Sequence, residues 1–64
     1  MVKINGRETQ AQGMSLLDYL MGEGYQPERL AVERNEQIVP KSRYGETVLL
    51  EGDVIEIVSF VGGG

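Results

Sequence analysis

The sequence predicts a single α+β domain in which a mixed sheet of about five strands is covered by one main helix. Three observations carry that prediction. Apolar residues alternate at both ends of the chain, in Val2-Lys3-Ile4 and again through Val54 to Val61. Between them the spacing becomes helical over Leu16, Leu17, Leu20 and Met21. The whole has 64 residues, room for one domain that removes only about 60% of its unfolded surface from water.

Each element follows from local chemistry. Asn5-Gly6 is a strong hairpin dipeptide, so a strand through Ile4 turns there into a second strand running to about Ala11. Ser15 is placed to cap a helix, and Asp18, three residues on, can complete a capping box. Leu16, Leu17, Leu20 and Met21 form its expected buried face. Gly22 and Gly24 stop it after about two turns, because glycine takes up the left-handed conformation that satisfies the last carbonyls. Leu30 to Arg34 reads as a third strand, Asn35-Glu36 as a turn, and Gln37-Ile38-Val39 as a short fourth strand ended by Pro40. Lys41 and Arg43 read as a solvated loop rather than a basic binding site. Glu51-Gly52-Asp53 is a turn signal before the longest β-prone run, Val54 to Val61. Alternation puts Ile55, Ile57 and Val61 on one face of that strand and Val54, Val58 and Phe60 on the other. The expected core includes Ile4, Leu16, Leu17, Leu20, Ile55 and Ile57. Truncating Leu17 or Ile57 to alanine is expected to cost ~2–5 kcal/mol.

Composition excludes several function classes. The chain has no cysteine and no histidine, so neither a disulfide nor a zinc site staples it, and the commonest catalytic nucleophiles and bases are missing. An autonomous enzyme is not expected, nor a bound metal or cofactor. Ten acidic against six basic residues give a net charge of −4, which repels phosphate backbones and anionic lipid. Nucleic acid and membrane are therefore poor partners. No apolar run has the length of a signal peptide or a membrane span, and a cytoplasmic location is expected.

The chemistry sits in Gly62-Gly63-Gly64, directly after Phe60-Val61. One reading is a frayed or linker-like tail, since terminal glycines are commonly disordered. The other is a handle. Without a Cβ, a terminal Gly-Gly can thread a narrow channel and present its carboxylate to a reactive centre. Adenylation of that carboxylate supplies a leaving group, and a persulfide donor can then displace AMP to leave a thiocarboxylate, a sulfur nucleophile made without cysteine. The expected organisation is a domain over residues 1–61 and a flexible glycine tail over 62–64, disordered in the free protein and ordered inside an enzyme.

EGDVIEIVSFVGGG resembles the C-terminal end of the ThiS sulfur carriers, small ubiquitin-like proteins of thiamine biosynthesis. Asn35 with Ile38-Val39-Pro40 and Tyr44 resembles the family's middle segment, and Ser15-Leu16-Leu17 sits where its helix begins. A third glycine, Gly62, precedes the usual pair. The resemblance covers essentially the whole chain and implies a β-grasp fold, with the first and last strands paired in parallel. It also implies a cycle run by partners. A ThiF-like adenylating enzyme, using ATP and magnesium of its own, activates Gly64; a cysteine desulfurase route supplies sulfur; and a ThiG-like thiazole synthase receives it. Val58 and Phe60 would form a docking patch, or else pack under a neighbouring loop. Two other readings stay open: a molybdopterin-synthase small-subunit type of carrier, with the same terminal chemistry, and a non-covalent ubiquitin-like interaction module.

Overall fold

The computed structural model describes residues 1–60. Its first hairpin forms about Asn5-Gly6, where β1 (Val2–Ile4) turns into antiparallel β2 (Arg7–Thr9). Both turn residues have positive φ, +50° and +83°, as a two-residue turn matched to strand twist requires. β2 stops short of the expected Ala11. The Thr9 hydroxyl donates to the Val2 carbonyl at 2.9 Å and accepts from the Ala11 amide at 3.3 Å, which closes the ladder and lets Ala11 turn into the core.

The helix α1 (Leu16–Gly22) is capped as its sequence predicts, with the Asp18 amide donating to Ser15 Oγ at 3.0 Å. Among the described residues the reciprocal bond from the Ser15 amide to the Asp18 carboxylate is not made. At the other end the Gly24 amide bonds to the Met21 carbonyl and the Tyr25 amide to the Leu20 carbonyl, with Gly24 at φ +85°. This paired closure needs a left-handed residue after the cap, and glycine supplies it without a Cβ penalty.

The expected buried face of α1 is wider than the real one. Leu16 and Leu20, one turn apart, are fully buried, but Leu17 is only partly buried and Met21 is 62% exposed. Two turns give a single stripe to the sheet. Leu17 lies about 100° round from it and packs towards Gly45, while Met21 is turned to solvent.

β3 (Leu30–Arg34) and β4 (Gln37–Ile38) form a second hairpin, and β5 (Val54–Ser59) lies between the two. The sheet order is β2-β1-β5-β3-β4, with β5 central. β5 pairs in parallel with β1 through Lys3↔Val54 and Ile4↔Ile55, and antiparallel with β3 over five rungs from Leu30↔Ser59 to Arg34↔Ile55. Val39 falls just outside β4 yet is buried, its amide donating to the Val32 carbonyl. Ile55 and Ile57 point inward with Val2, Ile4, Leu30 and Val32 against α1. The placement expected for Val61 lies outside the described residues.

Two parts of the core come from the segment between β4 and β5. Lys41 to Glu46 is a 3-10 helix rather than the expected loop, started by Pro40, whose carbonyl accepts from the Arg43 amide at 2.9 Å. Its purpose is packing, since Tyr44 is 2% exposed, while Lys41 and Arg43 stay in solvent as expected. Leu49 is fully buried without belonging to a strand. Its amide and carbonyl bond to the Met14 carbonyl and the Gly13 amide, at 2.8 Å and 2.7 Å.

The β3–β4 turn stores strain that a substitution can release. Asn35 and Glu36 sit at φ +52° and +72°. Asparagine tolerates that region, whereas a glutamate there is crowded by its own Cβ. Glu36→Gly should raise stability by about 0.5–1 kcal/mol, net of the extra freedom glycine has when unfolded. Urea titrations of parent and variant check this, and an unchanged midpoint would mean the turn is unstrained.

Candidate functional site

β5 delivers the chain to its glycine terminus, and it is fixed from both flanks. On the β1 side the Asn5 side chain takes both polar groups of Ile57: its Oδ1 accepts from the Ile57 amide at 2.7 Å, and its Nδ2 donates to the Ile57 carbonyl at 3.2 Å. On the β3 side the Phe60 amide donates to the Arg29 carbonyl at 2.9 Å, beyond the last rung. At the start of the strand Asn35 Oδ1 accepts from the Val54 amide and its Nδ2 donates to Asp53. Asp53, 6% exposed, also accepts from the Leu50 amide and from Arg34 Nε at 3.0 Å, so its buried charge is fully partnered. The register of β5 is set by these side chains as much as by the ladder.

The sheet face away from α1 is open. Val58 and Phe60 are 57% and 55% exposed, on the same side as Val54 and beside Ala31 of β3. Ile38 of β4, 72% exposed, widens the apolar area from the far edge. The alternative expectation, that a loop covers Phe60, is met among the described residues only by Lys41, whose ammonium lies 5.9 Å from the ring centroid. In the middle of this face Glu33 and Glu56 stand directly opposite one another across β3 and β5. Like charges so placed repel, and among the described residues neither glutamate makes an ion pair.

The remaining candidates carry less. A groove of about 310 Å³ beside β4 contains Arg34 and Arg43, but Asp53 holds the first and Glu46, at 3.5 Å, the second. Burial pushes the Tyr44 phenol up, and burial with the nearby Glu23 does the same for Tyr19, so both stay protonated and neither is a base at neutral pH. No group of three or more acidic, His or Cys side chains among the described residues could hold a metal ion. No helix there is long and apolar enough to cross a membrane. Gly62, Gly63 and Gly64, the sites singled out from sequence, lie outside the described residues, as does the expectation of a disordered tail.

The ThiS family model matches residues 2–64, nearly the whole chain and the glycine run with it. The chain belongs to the ThiS family. The sulfur carrier protein ThiS of Bacillus subtilis is 39% identical over the full length of both proteins. A thiazole synthase of Magnetococcus marinus is 47% identical over 98% of this chain, and one of Paramagnetospirillum magneticum 45% over 95%. This ThiS-family chain spans only about a fifth of those two synthases. The crystal structure of the thiamine biosynthesis protein ThiS of Geobacter metallireducens superposes with a TM-score of 0.78 at 27% identity, covering 98% of this chain and 97% of that one. The fold is thus the β-grasp of ThiS proteins, with the parallel β1–β5 pairing in place.

Two features of this site were not singled out from the sequence. Alternation places Val54 and Val58 on one face, but Ile38 and the opposed glutamates join them only once strand order is known. Asn5 was legible as a turn residue; nothing local indicates that its amide would reach across 52 residues to Ile57.

Proposed function

We propose that this protein is a sulfur carrier for the assembly of the thiamine thiazole. Its Gly64 carboxylate is adenylated and then converted to a thiocarboxylate, from which a thiazole synthase takes the sulfur. The observation that carries this reading is the family match across residues 2–64, which includes the glycine run, alongside a sulfur carrier relative 39% identical over the full length of both proteins. That segments similar to this chain occur in two proteins named thiazole synthase supports a synthase as the receiving partner. A ThiF-like enzyme, holding ATP and magnesium, activates the carboxylate in the cytoplasm, and a cysteine desulfurase route provides the sulfur. The carrier itself supplies no base or nucleophile beyond its terminus. Intact-mass measurement after incubation with ATP, magnesium, the adenylating enzyme and a sulfur donor tests this. Replacement of one oxygen by sulfur is the expected result, and an unaltered mass with both enzymes active would count against it.

Docking uses the open sheet face. Val58 and Phe60 precede the glycine run in sequence, and burying the exposed part of each, 57% and 55%, against a partner gives about 1–1.5 kcal/mol apiece. Phe60→Ala or Val58→Asp should weaken binding to the adenylating enzyme roughly tenfold or more, the equivalent of about 1.4 kcal/mol, while the melting curve of the free protein barely moves. Calorimetry on the folded variants checks it, and unchanged affinity would remove this face from the interface.

A further inference from the structure

We propose that Asn5 is a self-modification site, at which spontaneous deamidation is held back by the fold and, once it occurs, loosens the first hairpin from the central strand. An asparagine followed by glycine is chemically prone to this reaction, because glycine has no Cβ to shield the backbone nitrogen that attacks. The Gly6 nitrogen bonds to the Asn5 side-chain carbonyl carbon, and the carbon–nitrogen bond of the amide breaks. The Gly6 amide proton leaves with the departing ammonia. Water then opens the five-membered imide to aspartate or isoaspartate, and both water and exposure are available, since Asn5 lies on the surface.

The fold opposes the first step. Both polar atoms of the Asn5 side chain are engaged with Ile57 in the neighbouring strand, so its carboxamide is not free to rotate onto the Gly6 nitrogen while those bonds last. The Asn5 amide is itself bound to the Ile55 carbonyl at 2.9 Å, which fixes the backbone of the turn. Reaction therefore requires the clamp to open. The product cannot re-form it: an aspartate has no donor for the Ile57 carbonyl and sets a carboxylate oxygen against it. An isoaspartate also lengthens the backbone by one methylene in a turn whose length fixes register.

The molecule contains its own comparator. Asn35 occupies an equivalent turn, at φ +52°, and clamps β5 at Val54 in a similar way, but Glu36 follows it in place of glycine. The two asparagines are the only ones in the chain.

Peptide mapping of the full-length protein over days at pH 8 and 37 °C tests the proposal, with the same protein in 8 M urea as reference. Conversion should fall on Asn5 and not on Asn35, and should run at least tenfold slower in the folded protein. Equal rates in the two states would overturn the gating. Conversion of Asn35 alone would overturn the site. Asn5→Asp should lower the melting temperature, and Asn5→Gly, which keeps a residue suited to positive φ, should lower it through loss of the clamp alone. Variants that both melt with the parent would show that the modification has no structural consequence.

Discussion

Leu20→Ala should lower stability by about 3–5 kcal/mol, leaving the domain close to unfolded at room temperature. Leu20 is fully buried at the centre of the short helix, and the cavity left by its truncation is lined by a sheet that cannot collapse into it. A domain of this size has only roughly 3–10 kcal/mol in total. The same substitution elsewhere on α1 separates burial from helix propensity, which hardly distinguishes leucine or methionine from alanine. Leu17→Ala should cost about 1–2 kcal/mol, because the side chain is partly exposed against the 3-10 helix. Met21→Ala should be within about 0.5 kcal/mol of the parent. Urea denaturation of the three variants gives the gradient directly. Equal losses at all three positions would mean that α1 buries a different face from the one described.

Elements with a strong local signal were legible in the sequence, and those set by long-range contacts were not. Asn5-Gly6, the Ser15 cap and the Gly24 closure each involve residues within a few positions of one another, so local chemistry suffices to place them. The face assignment of β5 followed from alternation, and Ile55 and Ile57 are buried while Val58 and Phe60 are exposed. The width of the helix face did not follow, because a seven-residue helix cannot reveal by periodicity alone which of two adjacent leucines turns inward. Tyr44 and Leu49 lie in a stretch with neither helical nor strand period, and only tertiary packing, of the 3-10 helix against α1 and of Leu49 against Gly13-Met14, makes them core. Asp53 looked like part of a turn. Its burial between Arg34 and Asn35 depends on β3 lying beside β5, a pairing that no local pattern encodes. For the candidate site, alternation was sufficient to place Val58 and Phe60 on the exposed face of β5, while the glycines lie outside the described residues. It was insufficient for Ile38 and for the Glu33–Glu56 opposition, which strand order creates.

The second large effect concerns the terminus. On the proposed carrier reading, replacing Gly63 by leucine should abolish adenylation while leaving the fold intact, because a side chain next to the carboxylate would block a channel that admits only bare backbone. Adding one residue after Gly64 should do the same by converting the carboxylate into an amide. Register matters equally: three extended residues span about 10 Å, so removing one retracts the carboxylate by roughly 3 Å from the position at which it meets ATP. A displacement of that size is several times the tolerance for in-line attack. All three variants should melt with the parent, since none alters a described core contact. The decisive measurement is ATP–pyrophosphate exchange catalysed by the adenylating enzyme with a variant ending at Gly63. The carrier account predicts no exchange above background, and exchange as fast as with the parent would contradict it.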